Sequence, residues 1–143
     1  DLRRLYVLDK ITFDRQRRKI PYSYEYVEKL YNTFKNNIQM LEAKDGNENV
    51  HAINLYISDK KSVYYLMSGA NPDLRNSGAQ NLIQWEAIKH YYDKVRYFDF
   101  EGSIIENIEA NFRKFGGEQK PYFYIYDNTI VNALRRILKT IVK

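Results

Sequence analysis

The stretch Tyr64-Tyr65-Leu66-Met67-Ser68-Gly69-Ala70-Asn71-Pro72 decides the reading of this chain. A tyrosine-rich apolar run, suited to a strand, stops at Ser-Gly-Ala-Asn-Pro. It passes through Arg75-Asn76-Ser77-Gly78-Ala79 into Leu82-Ile83-Gln84-Trp85-Glu86-Ala87-Ile88-Lys89. A second strand-like run ends in Phe98-Asp99-Phe100-Glu101-Gly102-Ser103. The order is strand, polar loop, buried helix, strand, polar loop, helix. Two sets of polar groups thereby stand beside two helix N-termini, where backbone N–H groups and the helix dipole favour anionic or carbonyl oxygens.

Upstream, Pro21-Tyr22-Ser23 opens what reads as the first helix, with Ser23 as N-cap and Glu25 in the first turn. Val27, Leu30, Tyr31 and Phe34 then form one apolar stripe. Ile38–Ala43, Val50–Ser58 and Val63–Ser68 read as strands separated by turns at Asp45-Gly46 and Asp59–Ser62. The expectation is an antiparallel meander of three strands after one helix. Leu2–Leu8 alternates into an apolar run that belongs to the fold rather than to a leader.

Downstream, Ala79, Leu82, Ile83, Ala87 and Tyr91 share one face of a helix over Ala79–Tyr92. Trp85, Ile88 and Tyr92 widen that face, so Trp85 is expected to be largely buried. Tyr97–Phe100 arrives by helical crossover, which favours a parallel neighbour. Ser103 and Glu106 read as a capping box, Ile104/Ile105, Ile108, Phe112 and Phe115 as a core face, and Gly116-Gly117 as a left-handed stop. Tyr122–Tyr126 reads as a strand and Thr129–Lys143 as an amphipathic helix. The fold class is α+β with a mixed sheet.

With 143 residues, 44% hydrophobic and 29% charged, the chain suits one globular domain. The lack of cysteine removes disulfides, thiolate chemistry and zinc's commonest ligands. No apolar run approaches the ~20 residues of a membrane span, no secretory signal opens the chain, and the expected location is cytoplasmic. The chain begins at Asp1, so further residues are expected before it in the parent protein. The net charge of +5 is concentrated at Arg15, Arg17, Arg18 and Lys19 and again at Arg135, Arg136, Lys139 and Lys143. Such clusters attract phosphates, or simply solvate a surface. His51 and His90 suggest neither a metal site nor a nucleophile–base pair, and no Walker loop or Gly-x-Ser-x-Gly elbow is present.

From roughly Phe13 to Tyr126 the chain resembles the FemAB-like branch of the GNAT (N-acetyltransferase-like) superfamily. The resemblance lies in Tyr64-Tyr65-Leu66-x-Ser68-Gly69-Ala70, Trp85-Glu86-Ala87-Ile88 and Phe98-Asp99-Phe100-Glu101-Gly102-Ser103. It implies a GNAT-like sheet split into a V, with an activated acyl group held in the split beside the central helix. It also implies one GNAT-like domain over residues 1–143, the C-terminal part of a longer FemAB-like protein. The activity implied is transfer of an acyl or aminoacyl group to an amine, such as that of a bacterial cell-wall (peptidoglycan) peptide precursor. The alternative is a noncatalytic half that binds a partner domain or an acidic ligand. No tightly bound cofactor is implied; the donor is acyl-CoA or aminoacyl-tRNA, with CoA the less favoured because several members of the branch take an aminoacyl group from tRNA. Partners would be an N-terminal GNAT-like half of the same protein, tRNA, or the cell-wall precursor.

Under this resemblance Ser68, Gly69, Arg75, Asn76, Ser77, Gly78 and Ala79 lie on the donor side. Arg75 and Gly78 keep part of the family's pyrophosphate loop, but Gln80 stands where a small residue is usual. Close backbone approach at that point would meet a side chain. Asp99, Ser103 and Arg113 fall on the acceptor side, although Asp99 also reads as a strand-end hydrogen-bonding group and Ser103 as a helix cap. Glu101 has no evident structural task and reads as a general base toward the attacking amine or as a holder of a cationic acceptor group. Tyr65 and Tyr122, two of fourteen tyrosines, read as proton donors to a leaving group or as rim residues of strands.

Overall fold

Short turns closed by aspartates set the sheet. Asp45 Oδ1 accepts from the backbone N–H groups of Asn47 and Asn49, each at 2.9 Å. Asp59 Oδ1 accepts from those of Lys61 and Ser62, each at 2.7 Å. These side chains satisfy turn amides that no strand partner could reach. In the computed structural model, which describes residues 1–103, 105–123 and 125, the turns join strands β1 (Ile38–Lys44), β2 (Val50–Ser58) and β3 (Ser62–Ala70). A fourth strand, β4 (Tyr97–Asp99), completes a sheet of order β1-β2-β3-β4. The first three strands pair antiparallel, and β4 runs parallel to β3. The expected Tyr122–Tyr126 strand and Thr129–Lys143 helix lie outside the described residues as whole elements.

The helices are α1 (Leu2–Arg15), α2 (Tyr24–Thr33), α3 (Ala79–Tyr91) and α4 (Glu106–Lys114), with a 3-10 turn over Arg75–Ser77. Two helices therefore precede the meander, not one. What reads as alternation in Leu2–Leu8 is a helix capped by Asp1, whose carboxylate accepts from the N–H groups of Arg3 and Arg4. Its buried positions are Leu5 and Asp9, one turn apart. Ser23 caps α2, accepting from the Tyr26 N–H at 3.3 Å.

α1 and α2 cover one face of the sheet, where Leu5, Val27, Ile53, Leu55 and Met67 form a buried cluster. α3 covers the other, with Ala79, Ile83, Ala87 and Tyr91 against Ala52, Tyr56 and Val63. β2 is the spine: Ala52, Ile53, Asn54, Leu55 and Tyr56 are all buried, alternating between the two layers.

Two expectations fail here. Trp85 is 49% exposed, and Leu82 and Tyr92 are exposed as well. The inward stripe of α3 is Ala79, Ile83, Gln84, Ala87 and Tyr91, and 100° per residue carries Leu82 and Trp85 off it. Trp85→Ala should therefore cost about 1 kcal/mol, well short of the ~3–5 kcal/mol of a buried large aromatic; a denaturant titration reads the difference. The Ser103–Glu106 capping box is also not formed. Ser103 Oγ instead accepts from the Ile105 N–H at 3.0 Å, shaping the turn before α4. The left-handed stop is present at Gly116, φ +83°. Among the described residues no helix is long and apolar enough to cross a membrane.

Candidate functional site in the split sheet

β3 and β4 pair only at Ser62–Tyr64 with Tyr97–Asp99. β4 then ends while β3 runs on to Ala70, so the sheet opens between them. A β-bulge lies at the same level. Opposite β2, Tyr65 pairs with Tyr56 and Met67 with Leu55, leaving Leu66 as the extra residue. A bulge bends its strand and leaves backbone groups outside the ladder. Phe112 of α4 meets Tyr65 edge-on, with ring centres 6.2 Å apart, and stacks on Phe100 at 4.9 Å. These rings tie α4 across one end of the split.

Beside the opening stands the start of α3. Gly78 is left-handed at φ +78°, with open space where a side chain would be. No side chain caps the helix from Gly78, though Ser77 Oγ accepts from the Ala79 N–H at 3.4 Å. The N–H groups of Gln80 and Asn81, in the first turn, have no intrahelical acceptor. Gln80, expected to obstruct this loop, turns inward. Its Nε2 donates to Asn54 Oδ1 at 2.6 Å and to Tyr65 Oη at 2.7 Å.

Those bonds belong to a buried network that sequence reading missed. Asn54 Nδ2 donates to Tyr56 Oη at 2.9 Å, and Tyr56 Oη donates to Gln84 Oε1 at 3.1 Å. Because Gln80 donates to Tyr65, the phenol proton of Tyr65 is free to point elsewhere. Burial, opposed by hydrogen bonds from Ser68 and Gln80 and aided by the charge of Asp9, pushes the Tyr65 phenol up to about 12. It stays protonated at neutral pH. Two cues were available: Asn54 interrupts the apolar run Val50–Ile57, and Gln80 sits one turn before Gln84, a glutamine on the buried stripe of α3.

At the other lip, Glu101 and Gly102 both have positive φ, +60° and +67°. For a glutamate this is a strained backbone, of a kind that clusters at functional sites. The Glu101 N–H donates to Asp99 Oδ1 at 2.7 Å, which holds the turn. Burial, and then the neighbouring Asp99 charge, raise the Glu101 carboxyl above its ordinary value.

The remaining candidates are scattered. Arg75, Asn76 and Ser77 are exposed on the 3-10 turn before α3, and Ser68 lies opposite Asn54 on β3. Gly69 faces α1, not the split: a Cβ there would stand 2.4 Å from Leu8 Cβ. Arg113 pairs with Glu109 at 2.7 Å on α4, and Tyr122 is 85% exposed.

A family model described as acetyltransferase (GNAT) domain matches residues 1–122. The chain belongs to that family. No curated protein matches this chain in sequence. Solved structures share its fold at low identity. A mutant of the BH1408 protein from Bacillus halodurans has a TM-score of 0.65 at 15% identity, covering 90% of this chain and 92% of that one. A predicted acetyltransferase from Clostridium acetobutylicum, solved with acetyl-CoA, has a TM-score of 0.65 at 11% identity, with 89% and 92% covered. Glucosamine-6-phosphate N-acetyltransferase from Arabidopsis thaliana has a TM-score of 0.60 at 8% identity, with 90% and 95% covered.

One ionisable group of this GNAT domain lies off the split, on the α1 side. Asp9 is 6% exposed, and burial, opposed by a hydrogen bond from Tyr22, raises its carboxyl from 3.8 to about 6. Between those values the unfolded chain is ionised while the folded one holds its proton, so stability falls as pH rises. Asp9→Asn should therefore gain stability relative to the parent by about 2–3 kcal/mol between pH 4 and pH 7. Paired urea titrations at the two pH values check the sign.

Proposed function

We propose that this GNAT domain transfers an acyl group from a thioester to an amine, with the donor in the β3–β4 split. It forms the C-terminal domain of a longer protein of the FemAB-like branch. The observation that carries the reading is the coincidence of three features: an opened sheet, the Leu66 bulge at the opening, and an α3 N-terminus with unfilled N–H donors and open space at Gly78.

In this reading backbone N–H groups near the bulge polarise the acyl carbonyl as the acceptor nitrogen attacks its carbon. Glu101 takes the proton from that nitrogen. The carbon–sulfur bond breaks, and Tyr65 gives its proton to the departing thiolate. The first turn of α3, with Arg75 and Gly78, faces the donor's phosphates. Asp99 and Ser103 shape the Glu101 turn on the acceptor side. Acyl-CoA is the favoured donor, because the inward turn of Gln80 leaves the α3 loop unobstructed and because the fold neighbour from Clostridium acetobutylicum was solved with acetyl-CoA. Aminoacyl-tRNA is the second reading, supported by the exposed Arg15, Arg17, Arg18 and Lys19, none of which forms an ion pair among the described residues. A peptidoglycan peptide amine is the acceptor that the FemAB-like wording supports.

Thermal unfolding with acetyl-CoA tests the donor. A ligand that binds only the folded state stabilises it by about 2.7 kcal/mol at a hundredfold excess over Kd, so Tm should rise with concentration. A Tm unchanged by acetyl-CoA but raised by aminoacyl-tRNA would favour the second reading.

A further inference from the structure

Asp9 has no part in the chemistry above, yet its surroundings are those of a binding group. It lies on α1 where that helix presses on Gly69 of β3, with its backbone nitrogen 3.0 Å from where a Gly69 Cβ would stand. Tyr22 Oη donates to Asp9 Oδ2 at 2.5 Å. Among the described residues no lysine, arginine or histidine comes within ion-pair distance of it. A carboxylate buried without a counter-cation is costly to the fold unless something else compensates it.

On its solvent side Tyr22 lines a concavity of about 420 Å³ with Pro21, Ser23 and Tyr26. The rings of Tyr22 and Tyr26 lie 6.5 Å apart and only 30° from parallel, and Phe13 meets Tyr22 edge-on at 6.2 Å. Aromatic faces attract organic cations through the ring quadrupole, and more strongly where water is excluded. The same neighbourhood already holds cations in this way. Arg3 sits over the Tyr24 ring at 4.4 Å and Arg18 over the Phe13 ring at 5.8 Å.

We propose that the Pro21–Tyr26 concavity, with Tyr22 and Tyr26 as its aromatic wall and Asp9 behind Tyr22, is a site for an organic ammonium group. Its use as the anchor for a cationic acceptor rests on the acyl-transfer reading above. The concavity opens on the α1–α2 side of the sheet, in the segment that joins those two helices. A swing of the Tyr22 hydroxyl would bring the cation to Asp9 and supply the charge it lacks. Tyr22 from the α1–α2 connection is hydrogen-bonded to Asp9, with Tyr6 of α1 behind it, whereas Tyr65 of β3 packs in the α3 layer across the sheet. Burial raises the Tyr22 phenol above its ordinary value, so it brings no charge of its own to Asp9 at pH 8.

The experiment uses the full chain labelled with carbon-13 at the tyrosine Cζ and aspartate Cγ positions, titrated at pH 8 with n-butylammonium chloride and, separately, with n-pentanol. Saturable shifts of Tyr22 and Asp9 by butylammonium, absent with the neutral alcohol, are expected. Asp9→Asn should weaken binding at least tenfold. Tyr26 is 58% exposed, so Tyr26→Ala is expected to fold normally; it should weaken binding several-fold on its own. Equal responses to alcohol and ammonium, no saturable response, or unchanged binding in Tyr26→Ala would overturn the site. Acyl transfer is not read in this experiment. Binding of butylammonium without any acetyl-CoA effect on Tm would leave the site standing and sink the donor assignment instead.

Discussion

Glu101→Gln is expected to lower kcat on the order of 10²-fold or more while folding and donor binding persist. The expectation follows from the turn that carries it. Glu101 holds a φ of +60°, which costs a non-glycine residue free energy that a glycine would save. The bond from its N–H to Asp99 maintains that geometry at the lip of the split. Burial and the Asp99 charge raise its carboxyl, moving it toward neutral pH, where a base both exists unprotonated and accepts a proton readily. Glutamine keeps the size and the turn but cannot take the proton. The loss should therefore appear in kcat, with little change in KM for the donor. Equal activity of the Glu101→Gln and parent chains would remove the base from the account and favour a supporting half-domain that binds without catalysing.

The second large effect is structural. Gly69→Ala is expected to cost about 2–3 kcal/mol and Gly69→Val more, because α1 crosses β3 against this residue. An added Cβ would meet Leu8 Cβ at 2.4 Å and the backbone of Leu8 and Asp9 at 3.0 Å. None of these atoms is the far end of a flexible side chain, so α1 itself must shift. Such a shift would also disturb the Asp9–Tyr22 contact, coupling the stability change to the α1–α2 concavity. Urea titration should show a lower midpoint at an unchanged slope. A parent-like midpoint would mean that α1 does not seat on β3 as described.

The sheet was legible because its turns are written in side chains: Asp45 and Asp59 each satisfy two turn amides, and apolar residues dominate the strand between them. The parallel fourth strand followed from the helical crossover between β3 and Tyr97. α1 was not legible, since only Leu5 and Asp9 of it are fully buried and a buried aspartate breaks the apolar stripe that marks a helix. Trp85 misled for the converse reason: its size suggested the core, whereas helical geometry turns it outward. The split between Ser68 and Glu101 could be placed from strand ends alone. The Asn54–Tyr56–Gln84 and Gln80–Tyr65 contacts could not, because they join β2, β3 and α3 across 15 to 30 residues of sequence. Gln80 shows the limit most clearly. Its identity suggested an obstacle to phosphate approach, and only its rotamer shows the amide serving Tyr65 instead.

The proposed reaction requires an acyl thioester in the β3–β4 split with its phosphates at the start of α3. A nitrogen-15 NMR titration of the chain with acetyl-CoA tests it most directly, amide by amide. Saturable shifts are expected at Leu66 and Met67 beside the bulge and at Gly78, Gln80 and Asn81 at the helix start, with Pro21–Tyr26 neighbours little changed. Saturable shifts confined to Arg15–Lys19, or none at millimolar acetyl-CoA, would contradict it.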